Sequence, residues 1–109
     1  PYHRSTPRAG VTVQPDGQNV KITAPGEETI LSAGFYAFRD AQRTVVTSFD
    51  AAPANAFGVS ISGGAAEVVL SASGVKITVH GAPGRRTINL GPLGTRTVDY
   101  AGGDPLTVQ

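Results

Sequence analysis

The chain has 109 residues, the size of one domain with a single core, and contains no cysteine, which excludes disulfides and thiolate metal sites. A net charge of +1 argues against a dedicated nucleic-acid binder, and no apolar run approaches the ~20 residues that span a bilayer as a helix. Only 16% of residues are charged, while 14 glycines and 8 prolines suit many short strands joined by turns.

Residues 1–9 form a basic arm. It carries His3, Arg4 and Arg8 without an acid, and its two prolines make it a poor strand. A short basic arm that reaches onto a neighbouring chain is a frequent device in shells and filaments, so Arg4 and Arg8 are candidate assembly contacts.

From residue 10 onward strand signals dominate. Val11 and Val13 alternate with Thr12 and Gln14; Val20, Ile22 and Ala24 alternate with Lys21 and Thr23. Pro15-Asp16-Gly17 and Pro25-Gly26 read as turns, with proline presetting φ and glycine permitting positive φ. Residues 28–38 read as one strand that includes Phe35, Tyr36 and Phe38, three of the seven aromatics. Alternation places Phe35 on one face and Tyr36 and Phe38 on the other. Such a strand is either central in a sandwich or covered by another chain. Gly34 marks a bulge or bend within it.

A strand at 43–49 is followed by residues 50–56, where Asp50 can cap and Pro53 can sit in a first helical turn. This stretch reads as a helical turn or loop between two halves. Further strands fall at 57–62, 66–72, 75–80, 85–90, 95–100 and 105–109, separated by glycine- and proline-rich turns at the spacing of sandwiches and barrels. The expected architecture is therefore all-β. It is a single β-sandwich or partly closed β-barrel of about eight to ten short antiparallel strands behind an extended arm.

The halves 10–54 and 55–109 share a possible pseudo-repeat. Val20-Lys21-Ile22-Thr23 recurs as Val75-Lys76-Ile77-Thr78, and Pro25-Gly26-Glu27-Glu28-Thr29-Ile30 is answered by Pro83-Gly84-Arg85-Arg86-Thr87-Ile88. Glu27 and Glu28 thus occupy the place of Arg85 and Arg86. Read as exposed turns, the acidic pair of one copy would meet the basic pair of another in a heterologous contact.

No motif points to catalysis. The two histidines lack metal-ligand spacing, no serine lies in a Gly-x-Ser-x-Gly elbow, and neither a P-loop nor a calcium loop is present. No cofactor or metal is expected. The absence of tryptophan weakens a carbohydrate-binding reading, for which Tyr2, Tyr36 and Tyr100 are the remaining stacking candidates. The sequence favours a non-enzymatic structural protein that packs against copies of itself or a larger scaffold. A virion component such as a capsid decoration or tail protein is the concrete form, located in a virion or another extracellular assembly. The alternative is an extracellular carbohydrate- or protein-binding β module. The candidate contacts are Arg4, Arg8, Glu27, Glu28, Phe35, Tyr36, Phe38, Arg85 and Arg86.

Overall fold

The computed structural model describes residues 10–50 and 53–109. The arm at residues 1–9, with Arg4 and Arg8, lies outside the described residues. Twelve strands and one short 3₁₀ turn make up the rest: β1 (Thr12–Asp16), β2 (Asn19–Ala24), β3 (Glu27–Leu31), β4 (Phe35–Arg39), β5 (Arg43–Ser48), β6 (Ala54–Ala56), β7 (Val59–Ser62), β8 (Ala66–Ser71), β9 (Gly74–Val79), β10 (Gly84–Asn89), β11 (Thr95–Tyr100) and β12 (Leu106–Val108), with the 3₁₀ turn at Gly91–Leu93 before β11.

They form two antiparallel sheets. The large one has the order β1-β2-β3-β4-β5-β8-β9-β12, and the small one β11-β10-β7-β6. The fold is all-β and sandwich-like, without a closed barrel. Among the described residues no helix is long and apolar enough to cross a membrane.

The core lies between the small sheet and the β4-β5-β8-β9 part of the large one. Phe35, Ala37, Val46, Val68, Ile77 and Val79 from the large sheet meet Ala54, Val59, Ile61, Ile88, Val98 and Tyr100 from the small one. Alternation along each strand supplies these residues, because every second side chain points inward. Four strands cannot cover eight, so β1, β2 and β3 overhang the sandwich. The radius of gyration is 15.6 Å, against about 13 Å for a compact domain of 100 residues, and the longest dimension of 53 Å reflects the overhang.

Two expected elements differ. Residues 28–38 are not one strand: β3 and β4 pair as a hairpin with Glu28 opposite Arg39 and Leu31 opposite Tyr36. Ser32 N donates to the Phe35 carbonyl at 3.0 Å, so Ala33-Gly34 is the turn rather than a bulge. The expected helical turn near Pro53 gives way to β6, which pairs with β7; residues 51–52 lie outside the described residues. The β6–β7 hairpin turns through Phe57 and Gly58, with φ of 54° and 79°. Positive φ at both central residues matches the twist of a tight hairpin. Phenylalanine is strained there. Its ring is held against the core and beneath the Arg39 guanidinium, 4.5 Å from the ring centroid.

The pseudo-repeat is not reproduced in the pairing. β2 and β3 are neighbours in one sheet, whereas β9 and β10 belong to different sheets. The shared tetrapeptide even points in opposite directions. In β9, Val75 and Ile77 face the small sheet, with Ile77 buried in the core. In β2, Val20 and Ile22 face away from it, because their neighbour Lys21 pairs with Ile30, which pairs with the core residue Ala37.

Candidate interaction surface

Directly paired residues of an antiparallel sheet share a face, so the register assigns every side chain of the large sheet. Ala37, Val46, Val68 and Ile77 are paired in sequence across β4, β5, β8 and β9 and form the inner face. Followed toward β1, the same row reads Ile30, Lys21 and Gln14. The next inner row reads Arg39, Glu28, Thr23 and Thr12. Where the overhang leaves the small sheet, its inner face therefore becomes polar.

The outer face behaves in the opposite way. One row runs Val13, Ile22, Thr29, Phe38, Val45 and Val69, ending at Lys76. The row beside it runs Pro15, Val20, Leu31, Tyr36, Thr47, Glu67 and Thr78. On the other flank, β2 carries Ala24, β3 Glu27, β5 Arg43 and β8 Ser71, with Ala24 opposite Glu27 and Arg43 opposite Ser71. No strand or loop among the described residues forms a second layer here. Val45 is only 9% exposed yet stands outside the core cluster. The Arg43 guanidinium lies over the Phe38 ring, 5.8 Å from its centroid. Val13 and Leu31 remain 61% and 43% exposed.

Pairing also explains why β1 can sit at a sheet edge. The two-residue turn Gly17-Gln18 makes Asp16 and Asn19 a hydrogen-bonded pair, so Pro15 opposite Val20 directs its missing N–H outward. Proline there removes a donor from the free edge and discourages pairing with another strand.

The candidate contacts named from the sequence separate into four environments. Phe35 belongs to the core, while Tyr36 and Phe38 lie on the outer face, as alternation required. Glu27 is exposed on the outer face. Glu28 is not an exposed turn residue: its carboxylate accepts from Arg39 Nε at 2.9 Å and pairs with Lys21 Nζ at 3.0 Å. These hydrogen bonds, Arg39's first and Lys21's second, hold its pKa below the usual carboxylate value. Arg85 pairs with Asp99 at 2.7 Å on the outer face of the small sheet. Glu28 and Arg85 thus spend their charges within the chain.

Arg86 is the clearest correction. It is fully buried and cannot serve as a surface contact. Its Nε donates to Ala65 O at 3.0 Å, Nη1 to Gly84 O at 3.2 Å and Gly63 O at 3.4 Å, and Nη2 to Ala82 O at 2.7 Å and His80 O at 2.8 Å. All five N–H groups are thereby used on backbone carbonyls. The guanidinium also lies over the Tyr100 ring, 5.6 Å from its centroid. The loops that supply the carbonyls need glycine. A Cβ on Gly64, where φ is 147°, would sit 2.4 Å from Arg86 Cζ. The in-phase sequence Arg86, Ile88, Leu90 was the available signal that Arg86 faces inward.

Two surface clefts stand out among the described residues. One cleft of about 370 Å³ lies between the β2–β3 and β4–β5 turns and is lined by Thr23, Glu27, Glu28, Arg39 and Asp40, among others. Glu28 and Arg39 engage each other there, and Asp40 Oδ1 accepts from the Gln42 and Arg43 amides. Among the described residues no group of three or more His, Asp or Glu side chains converges on a metal position. Tyr36 and Tyr100 do not share a platform: Tyr100 is in the core with its hydroxyl 2.7 Å from Gly103 O, and Tyr36 is on the large sheet's outer face, while Tyr2 lies outside the described residues. Comparisons with protein-family models, with curated proteins and with solved structures return no match.

Proposed function

We propose that this chain is a non-enzymatic structural protein whose large-sheet outer face packs against protein neighbours, either copies of itself or a larger scaffold. One observation carries the reading. The overhanging strand β2 directs Val20, Ile22 and Ala24 to the uncovered outer face and Lys21 and Thr23 to the inner one. A one-residue slip would turn the apolar set to the inner face. The chain instead keeps a register that presents it, together with Val13, Leu31, Tyr36 and Phe38. A contiguous apolar patch of this kind marks an interaction site more often than a passive surface. The size of the chain, its overhanging sheet and its side-chain inventory fit a virion component such as a capsid decoration or tail protein, in a virion or another extracellular assembly.

The experiment is molar mass by light scattering over a concentration series, for the wild type and for Leu31→Asp. The reading expects mass above the monomer that rises with concentration and falls back in the variant. A wild type that stays monomeric throughout contradicts packing against copies of itself.

A further inference from the structure

The geometry points to a second copy of this chain as the occupant of the outer face, bound as a two-fold, face-to-face dimer in which Arg43 of each copy meets Glu67 of the other. This rests on the assembly reading above and specifies its contact.

Three observations lead to it. The first is area. The patch spans six strands, β1 to β5 and β8, at about 4.8 Å each and about 17 Å along the strands, or about 490 Å² of face. Two copies bury about 1,000 Å², the lower bound for specific association, which fits a weak dimer. The second is charge. The centre of the patch bears no ionisable group except the Tyr36 phenol, and the outer-face charges Glu27, Arg43, Glu67 and Lys76 sum to zero. An identical face is therefore not repelled. Two twisted sheets of the same hand also pack well face to face, with strands within about 30° of each other.

The third is register. An axis lying in the face along the Val13-to-Lys76 row sets each strand over its own counterpart and exchanges the two flanking rows. Arg43 of one copy then faces the Thr47 position of the other. Glu67 is paired with Thr47 and leans toward it, its Oε2 3.5 Å from Thr47 Oγ1. The carboxylate thus stands where the opposing guanidinium arrives, and symmetry makes the contact twice. Arg43 is exposed and rests over Phe38 in the single chain, so it can turn to this partner without breaking an ion pair. Lys76 ends the axis row on β9, one strand beyond the patch.

The test is a charge-swap series followed by sedimentation velocity. Arg43→Glu and Glu67→Arg should each weaken dimerisation about tenfold, since the two symmetric pairs change from attraction to repulsion. The double variant should recover to within about threefold of the wild type. The cysteine-free sequence allows a second readout. Thr29→Cys lies on the axis row and should cross-link to itself through a short bis-maleimide, whereas Thr97→Cys on the outer face of the small sheet should not. A wild type that remains monomeric to about 1 mM, where even −4 kcal/mol of association would be half-satisfied, overturns the inference. An oligomer that ignores the swaps also overturns it while leaving the assembly reading intact, whereas one that cross-links through Thr97→Cys alone overturns both.

Discussion

Replacing Arg86 with lysine keeps the positive charge and removes two donors. The guanidinium supplies five N–H groups to the carbonyls of Gly63, Ala65, His80, Ala82 and Gly84; an ammonium supplies three. At least two carbonyls then lose a charge-assisted bond worth about 1.5–3 kcal/mol each. Water reaches part of the cage and returns some of this, so Arg86→Lys should cost about 2–4 kcal/mol. Arg86→Met, which empties the cage, should cost about 3–5 kcal/mol, as expected when a buried charged network loses its centre. Against a total stability of about 5–15 kcal/mol for a domain of this kind, the methionine variant is marginal. Gly64→Ala attacks the same contact from the other side, because its Cβ would lie 2.4 Å from Arg86 Cζ. The two substitutions should be strongly non-additive. Urea unfolding followed by far-UV circular dichroism measures all of these, with tryptophan fluorescence ruled out by the composition. An Arg86→Lys protein within 0.5 kcal/mol of the wild type, on the ~1 kcal/mol scale of a single hydrogen bond, would refute the cage as a stabilising centre.

Two further outcomes follow from the same geometry. Ile77→Ala and Ile22→Ala alter the same residue in the same tetrapeptide: in dilute, monomeric protein the core position should cost about 2–5 kcal/mol, and the outer-face position less than about half of that. Equal losses in urea unfolding would mean that something in the chain covers β2. The Glu28 carboxylate has its pKa lowered from 4.5 by Arg39 and Lys21, so its contribution is fully present above pH 4.5 and is lost as pH falls through the lowered value. Glu28→Gln should flatten the fall of the urea midpoint below pH 4.5. An acid slope identical to that of the wild type would assign the loss elsewhere, with Asp99, lowered by Arg85, the next group to replace.

Much of this architecture is written in local alternation. β2 begins and ends where its pattern does, and the opposed placement of Phe35 against Tyr36 and Phe38 follows from the period of two. What alternation cannot give is which of two faces meets the second sheet. Val-Lys-Ile-Thr turns its apolar pair inward in β9 and outward in β2, a choice made by distant strands that cover one end of the sheet and not the other. The β3–β4 turn was hidden because Ile30, Leu31 and Phe35 leave no proline or polar cluster between them, only Gly34. β6 was hidden because Ala54-Asn55-Ala56 is short and weak in strand preference, and is fixed by pairing with β7. The acidic and basic doublets looked like exposed turns because they follow Pro-Gly. The structure places them in strands, where every second residue turns inward. That alternation makes Glu28 the centre of an ion network and Arg86 a buried one.

On the proposal above, the outer face of the large sheet packs against a second copy of the chain. Sedimentation velocity of the wild type and of Leu31→Asp, from dilute solution to about 1 mM, tests it most directly. The expected result is a reversible increase in mass for the wild type that Leu31→Asp abolishes while its urea midpoint stays near the wild-type value. A wild type that sediments as a monomer at every concentration, or an association that Leu31→Asp leaves unchanged, would contradict it.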